Sequence, residues 1–328
     1  MSRNATRHSP QSTAALPPSP FPTDDPILQR IGGTPMIPYP GVADGRLLCK
    51  LESENPTRSM KDRIAMGILS EALQEHDYDT VVEASSGNTA GAVALVANRL
   101  GVDCILTCPE GTSPDKIGYM KAFGAEVHTC PDVNSDHPEH YRATARRLAE
   151  AHGAFLVDQY HNLSNPGAHY RWTGREIWAQ AGAEMTHLVS AMGTGGLLSG
   201  CARRVKEEAR AAGREVTVVG VDATHSNIST AFRGDDPVPY DTCVEGLGKG
   251  GALPTMWFDY IDTMRDVPDD RAFAQARTAA QEHGMPIGPS AGAALSVAEA
   301  ITTEQPEARV VTIICDGGEQ YFDSLFGV

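Results

Sequence analysis

Runs of β-branched and apolar residues, each three to six residues long, alternate with longer stretches along most of the chain. Several of the intervening stretches carry helical signals. Such alternation is typical of parallel sheets covered by helices. The pattern therefore predicts an α/β protein with mostly parallel sheets, in which ligands gather at the carboxyl ends of the strands. The predicted strands are residues 80–83, 104–107, 126–128, 155–157, 187–190, 216–221 and 310–314.

Lys61 lies at the start of one predicted helix. Ser59 and Asp62 have the spacing of a capping box, and apolar residues follow from Ile64 to Ala72 with a period of 3.6 residues. Lys61 would then lie in the first helical turn, where unpaired amides and the helix dipole disfavour a positive charge and lower the pKa of its ammonium group. An amine that loses its proton readily can attack an aldehyde. The alternative is an ordinary surface lysine.

A short polar turn follows the predicted strand at residues 80–83. Small hydroxyl residues, a glycine and the free amides of a helix start can hold a carboxylate or a phosphate. Structural capping of the helix is an equally good explanation for this turn alone. The turn consists of Ser85, Ser86, Gly87, Asn88 and Thr89.

A glycine-rich turn follows the predicted strand at residues 187–190. It reads Gly193, Thr194, Gly195 and Gly196, and glycines let the backbone approach an anion closely at the positive end of a helix. Because the turn matches neither the dinucleotide-binding nor the P-loop pattern, a cofactor monophosphate is the better ligand. Alternatively, the glycines serve only the geometry of a tight turn.

Composition narrows the class of partner. The chain has 328 residues, a net charge of -15 and seven scattered cysteines. Without a long basic run, this acidity argues against a nucleic-acid partner or an anionic membrane. No apolar run has membrane length, the first residues lack a secretory signal, and neither cysteines nor histidines show metal-ligand spacing. We therefore expect a cytoplasmic protein without a metal site.

Together these motifs resemble the fold type II pyridoxal-phosphate-dependent enzymes of the cysteine synthase and cystathionine β-synthase family. The resemblance extends from about residue 26 to the end of the chain, and its motifs occur in the family's order. The matching stretches are residues 31–35, 55–63, 85–89, 158–160 with 165–166, 193–196, 245–248, 290–293 and 317–321.

The resemblance implies a role for each matching position. Lys61 would hold pyridoxal 5'-phosphate as a Schiff base and later take the α-proton of the substrate. The other cofactor-binding residues would be Asn88 at the ring hydroxyl, Ser290 at the ring nitrogen, and Gly193, Thr194, Gly195 and Gly196 at the phosphate. The substrate-binding residues would be Ser85, Ser86, Thr89, Gln159 and Glu245.

The resemblance also implies a fold and a reaction. Two α/β domains would enclose the cofactor in a cleft, one formed by residues 55–157 and the other by residues 26–54 with 158–328, after a flexible tail at residues 1–25. A homodimer is expected. The reaction would be β-replacement on an activated serine through an aminoacrylate, and a neutral serine at the ring nitrogen favours elimination over transamination.

Several alternatives stay open. Sulfide is the first choice of nucleophile, homocysteine the second, as in cystathionine β-synthases, and a nucleophile other than sulfur the third. A serine or threonine dehydratase and a noncatalytic binding protein are less favoured. Three positions depart from the family pattern: Leu197 replaces a usual threonine, Ser85 is threonine in many relatives, and Arg58 is either solvated or attracts an anionic leaving group.

Overall fold

The computed structural model describes residues 23–327. The strands in this range are β1 (Met36–Pro38), β2 (Leu47–Leu51), β3 (Thr80–Ala84), β4 (Asp103–Pro109), β5 (Glu126–Cys130), β6 (Phe155–Leu156), β7 (His187–Ala191), β8 (Thr217–Ala223), β9 (Thr263–Val267) and β10 (Val310–Ile314). The α-helices are α1 (Lys61–Glu75), α2 (Asn88–Leu100), α3 (Pro114–Ala122), α4 (Tyr141–His152), α5 (Ser164–Ala168), α6 (Gly174–Ala181), α7 (Gly196–Ala211), α8 (Ile228–Arg233), α9 (Asp269–His283), α10 (Pro289–Glu304) and α11 (Phe322–Phe326). A π-helical segment, His169–Thr173, joins α5 to α6.

The strands form two sheets. One has six strands in the order β1-β2-β10-β7-β8-β9, and the other has four in the order β5-β4-β3-β6. Strand β1 pairs antiparallel with β2, and every other pairing is parallel. This arrangement confirms the predicted α/β class with mostly parallel sheets.

All seven predicted strands are present, although β6 is shorter than the predicted run by one residue. The sequence analysis missed β1, β2 and β9. Strands β1 and β9 lie at the two edges of the six-stranded sheet, and β9 buries only its last residue, Val267. Edge strands bury less apolar surface, so their sequences lack a clear hydrophobic run.

Helix α1 begins at Lys61, which confirms that this lysine lies in the first helical turn. The predicted capping box is wrong. Asp62 turns back to the preceding loop, where its carboxylate accepts hydrogen bonds from the Thr57 amide at 2.8 Å and from the Thr57 hydroxyl. Ser59 Oγ accepts from the Lys61 amide at 3.2 Å. The two side chains therefore fix the loop that leads into α1 and do not cap each other.

Each sheet has its own hydrophobic core. Ile64 and Ile68 of α1 pack with Val81 and Val93 around the four-stranded sheet. The largest cluster of the six-stranded sheet joins its strands to α9 and α10. Within residues 23–327, no helix has both the length and the apolar character needed to cross a membrane.

A flexible tail was predicted for residues 1–25, and residues 1–22 of it lie outside the described part of the chain. Of this stretch the structure describes residues 23–25. The Asp25 carboxylate accepts hydrogen bonds from the Ile27 and Leu28 amides, both at 2.9 Å, and forms an ion pair with Arg99 of α2.

Candidate active site

A narrow cavity collects residues that follow β3, β7 and β10, three strands of the two sheets. Its position agrees with the rule that ligands of parallel sheets bind beyond the carboxyl ends of the strands. The cavity is lined by Met60, Lys61, Asn88, Ala191, Gly193, Thr194, Gly195, Leu197, Gly246, Ser290, Cys315 and Asp316. The structure thus brings together every residue predicted to bind the cofactor except Gly196, which adjoins Gly195 in the chain and begins α7.

Lys61, the first residue of α1, lines this cavity. Burial lowers the pKa of its ammonium group, and the charge of Asp316 opposes that shift. The sequence analysis also predicted a lowered pKa for Lys61, but from the position at the helix terminus. In the structure the main cause is the loss of hydration on burial. A buried amine with a lowered pKa is suited to attack a carbonyl carbon and to accept a proton.

The glycine-rich turn is packed so tightly that side chains are excluded. A Cβ atom on Gly193 would collide with the carbonyl oxygen of Gly246, and one on Gly196 would collide with Asn165 Oδ1. Gly195 has a positive φ of 78°, which disfavours other residues. The carbonyl oxygen of Thr194 accepts a hydrogen bond from the Thr255 hydroxyl at 2.6 Å. The turn therefore presents free amides at the start of α7, the geometry of an anion cradle.

Asn88 and Ser290 offer polar groups to the same cavity. Asn88 Nδ2 donates a hydrogen bond to Asp316 Oδ2 at 2.7 Å, and the Tyr321 hydroxyl donates to the same oxygen at 2.7 Å. Asn88 Oδ1 and Asp316 Oδ1 are buried without a partner in the described part of the chain. No side-chain hydrogen bond of Ser290 is seen among residues 23–327. Three polar groups are thus available to a ligand.

Asp316 is a site residue that the sequence analysis missed. Burial raises the pKa of its carboxyl to about 6, although the hydrogen bonds from Tyr321 and Asn88 oppose that shift. The signal was available, because Asp316 follows a predicted strand in the same way as the two turns discussed above. It was overlooked because a single carboxylate between a cysteine and two glycines is not a motif on its own.

The residues predicted to bind a substrate carboxylate are not in the lining of this cavity but belong to the turn around Asn88 or are bonded to it. The Thr89 hydroxyl donates a hydrogen bond to Gln159 Oε1 at 2.7 Å, and Gln159 Nε2 donates to Glu83 Oε1 at 3.1 Å. Ser85 Oγ accepts from the Gly87 amide at 3.3 Å. Ser86 lines a larger adjoining cavity that opens toward α3. The Thr89 hydroxyl and Ser85 Oγ are thus both used in internal hydrogen bonds, which a substrate carboxylate would have to replace.

Glu245 lies opposite this turn but is not free. Lys116 of α3 forms an ion pair with it, at 2.8 Å between Nζ and Oε2. The same carboxylate oxygen is 4.0 Å from the position that a Cβ atom on Gly87 would occupy. Lys116 was not identified from the sequence, because its partner is 129 residues away. A ligand that uses Glu245 must displace or share this lysine.

Arg58 is partly neutralised in the same region. Its Nε donates to Glu319 Oε1 at 2.6 Å, and its Nη1 is 3.4 Å from Glu54 Oε1. Arg58 also has a positive φ of 65°, which is uncommon for a residue with a side chain. These contacts favour a structural role in the turn before α1 over attraction of an anionic group.

These features fit a phosphorylated aldehyde cofactor. The glycine turn brings the backbone at the start of α7 to the cavity, Lys61 supplies the amine, and the unpartnered Asn88 oxygen is a polar group available to a ligand. A lysine amine with a lowered pKa beside backbone amides is the chemistry of a Schiff-base site.

Comparisons with known proteins agree. The family model described as "Pyridoxal-phosphate dependent enzyme" matches residues 27–316. Cystathionine beta-synthase of Oryctolagus cuniculus is 34% identical over 97% of this chain, which spans 59% of that protein. Cysteine synthase B of Pseudomonas aeruginosa is 33% identical over 91% of this chain and 96% of its own length. The crystal structure of O-ureido-L-serine synthase has a TM-score of 0.81 and 29% identity, over 90% of this chain and 92% of that one. The chain therefore belongs to the family of pyridoxal-phosphate dependent enzymes.

Proposed function

We propose that the protein catalyses pyridoxal-phosphate-dependent β-replacement on an activated L-serine, with sulfide as the nucleophile and L-cysteine as the product. The observation that carries this proposal is the meeting of Lys61, the glycine turn, Asn88 and Ser290 in one cavity. Relatives named cysteine synthase support the reaction class.

Lys61 and the glycine turn would have separate roles in this reaction. Pyridoxal 5'-phosphate, when bound, supplies an electron sink for bonds at the α-carbon of an amino acid. Lys61 would hold its aldehyde carbon and then move the α-proton with the freed amine. Gly193, Thr194, Gly195 and Gly196 would hold the phosphate.

Two further groups of residues would orient ring and substrate. Ser290 would contact the ring nitrogen, and Asn88 the ring hydroxyl. A serine hydroxyl is neutral, so it does not hold a proton on that nitrogen as a carboxylate would. Elimination of the β-substituent is therefore favoured over transamination. Thr89 and Gln159, together with Ser85 and Ser86, would hold the substrate carboxylate.

The nucleophile is the least constrained part of the proposal. Condensation with homocysteine is the second candidate, because a cystathionine beta-synthase is among the relatives and Glu245 could bind an amino group once Lys116 is displaced. A nucleophile other than sulfur is the third, since O-ureido-L-serine, the product that names one structural neighbour, carries an oxygen-linked group. A serine or threonine dehydratase remains less favoured.

The two sheets support the proposed domain division. Strands β3 to β6 fall within residues 55–157, and the remaining strands fall within residues 26–54 and 158–328. The cavity is lined by residues of both parts, which supports a cofactor site in a cleft between them. Movement of the turn at residues 85–89 over a bound substrate would exclude water from the reacting carbon.

Two broader expectations also belong to the proposal. A homodimer is expected, and sedimentation or light scattering would test it. A cytoplasmic location agrees with the cysteines, six of which are buried and all of which are free thiols in the described part of the chain.

One assay tests the proposed function. Purified protein loaded with cofactor would be offered serine, O-acetylserine and O-phosphoserine, each against sulfide, cysteine and homocysteine, with products identified by mass. We expect cysteine from an activated serine and sulfide as the most productive pairing. Pyruvate and ammonia from serine without a thiol would identify a dehydratase, and absence of any product would overturn the proposal.

A glycine substitution tests the phosphate cradle. Gly196→Ala places a methyl group against Asn165 Oδ1, so the turn must shift away from the phosphate. We expect the affinity for pyridoxal 5'-phosphate to fall by about tenfold or more, because loss of a charge-assisted hydrogen bond is worth over 1 kcal/mol. Titration of the apoprotein, followed by cofactor absorbance, measures this affinity.

Gly118→Ala is the matched control. Gly118 lies on α3, where a Cβ atom would meet open space. This variant should bind the cofactor as the wild type does. Equal affinities of Gly196→Ala and the wild type would show that the turn does not hold the phosphate.

A further inference from the structure

A second cavity of about 400 Å³ lies beside the proposed active site. It is formed where Glu83 of β3 and Arg142 of α4 face Tyr160 and the segment that begins at Lys249. Tyr160 directly follows Gln159, which is proposed to bind the substrate carboxylate. The volume is within the range of small-molecule sites. None of the motifs of the sequence analysis includes Arg142 or Lys249.

Three basic side chains line this cavity: the exposed Arg146, and Arg142 and Lys249, which are partly buried. The Arg142 guanidinium stacks over the ring of Tyr160, 4.7 Å from its centre, and its Nε is buried without a hydrogen-bond partner. Lys249 Nζ lies 5.5 Å from the centre of the same ring. Neither residue forms an ion pair within residues 23–327, although the chain as a whole has a net charge of -15. Arrangement around one aromatic ring holds both charges in place.

The two charges repel each other and the Schiff-base lysine. Burial lowers the pKa of Lys249 to about 8, and the charges of Arg142 and Lys61 add to the shift. Burial and the neighbouring cations thus both disfavour the positive charge of Lys249. An anion bound in the cavity would favour that charge.

The carboxyl groups of the cavity do not supply this anion. Burial, with the charge of Asp158, raises the pKa of Glu83 to about 8, so Glu83 is mostly protonated at neutral pH. Asp158 is 2.9 Å from Nδ1 of His161 and interacts with that ring. Within residues 23–327, neither carboxyl group forms an ion pair with Arg142 or Lys249, so both cations stay available to a ligand.

Lys249 is also held by its backbone. Its amide donates a hydrogen bond to Ser226 Oγ at 2.9 Å, and its carbonyl oxygen accepts one from the Asn227 amide at 2.8 Å. A fixed backbone lowers the conformational entropy that binding would cost. The cation is thus positioned before any ligand arrives.

We propose that Arg142 and Lys249 form a subsite for an oxyanion carried by a substrate, a deduction that rests on the proposed function for the identity of that substrate. The bound group would be a phosphate or a carboxylate. It could be the phosphate of a phosphorylated serine donor, or the carboxylate of an amino-acid acceptor such as cysteine or homocysteine. The acetyl group of O-acetylserine and the sulfide ion offer neither group.

The first experiment measures binding without turnover. Inorganic phosphate is titrated into the cofactor-loaded enzyme, whose glycine turn is already filled, and its affinity is obtained by calorimetry. Arg142→Gln and Lys249→Gln should each weaken binding by about tenfold or more, because each removes a charge-assisted contact. Unchanged cofactor absorbance shows that the variants fold.

Arg147→Gln is the matched control. Arg147 is exposed, lies on α4 and does not line the cavity, so this variant makes the same change of charge on the same helix. It should bind phosphate as the wild type does. Failure of the wild type to bind phosphate, or equal binding by all variants, overturns the subsite.

The second experiment identifies the source of the oxyanion through kcat/KM. Selective loss in the two cavity variants with O-phosphoserine, compared with O-acetylserine, assigns the subsite to the leaving group. Selective loss with cysteine or homocysteine, compared with sulfide, assigns it to the acceptor. Equal losses with every pairing overturn the proposal. If no pairing reacts even in the wild type, the proposed function fails, while phosphate binding still decides whether the subsite exists.

Discussion

Replacement of Lys61 by alanine is expected to abolish covalent attachment of the cofactor and to lower kcat/KM for β-replacement by about 10³-fold or more, since general-base catalysis alone contributes factors of this size. Lys61 is the first residue of α1, it lines the cavity with Ser290 and Asn88, and burial lowers the pKa of its amine. Borohydride reduction of the loaded protein followed by peptide mass spectrometry measures the attachment.

Lys121→Ala is the control for this experiment. Lys121 is an exposed lysine in the last turn of α3, and it should be neither modified nor required. An adduct on a lysine other than Lys61, or full activity of Lys61→Ala, would contradict the assignment on which the proposed function depends.

Replacement of Arg63 by methionine is expected to lower the free energy of unfolding by about 3–5 kcal/mol, the usual result of removing one partner from a buried ionic group. The Arg63 guanidinium is fully buried. It bonds Glu52 and Glu176, each with a shortest distance of 2.6 Å. Burial raises the pKa of the Glu52 carboxyl, but the Arg63 charge outweighs burial and holds that pKa at about 2. Without Arg63, both glutamates must take up protons or stay charged without their main partner.

The buried network contains a second cation, Lys50, which limits the loss of stability in this variant. Lys50 Nζ, also fully buried, is 2.7 Å from Glu176 Oε2. Lys50 would still compensate Glu176, so most of the loss should come from Glu52. Urea denaturation of the wild type and of Arg63→Met measures the difference.

Arg265→Met provides the comparison. Arg265 pairs with Glu304 at 2.8 Å, but the two side chains are 37% and 51% exposed. Exposed pairs contribute about 0–1 kcal/mol, so this variant should be nearly as stable as the wild type. If Arg63→Met lost no more stability than Arg265→Met, the buried network would not be a net source of stability.

Local patterns were sufficient to predict much of the fold and part of the candidate site. The central strands β3, β4, β7, β8 and β10 were predicted because both of their faces are covered, which demands continuous apolar runs. The cofactor cavity was predicted for a related reason. Asn88 and Gly193 lie in turns that follow β3 and β7, and such turns gather at the carboxyl ends of the strands, whereas the places of Lys61 and Ser290 were expected from the family resemblance.

Other features depend on partners that a single sequence does not reveal. Strand β2 was missed because Lys50 interrupts its apolar run, and a buried lysine is tolerable there because distant groups, Glu176 and Gln180 among them, bind its ammonium group. The capping box was wrong because Thr57 competes for Asp62. The ion pair of Lys116 with Glu245 likewise joins segments with no sequence relation.

Arg63 lies two residues after Lys61 on α1, and this closeness has a consequence for motion. Any opening of the cleft that carried α1 away would strip Glu52 and Glu176 of hydrogen bonds that water could not replace in the interior. We therefore expect α1, and with it Lys61, to keep its position relative to Glu52 and Glu176 when a cofactor or substrate binds. Accommodation of substrates of different size is left to other parts of the site, chiefly the turn at residues 85–89.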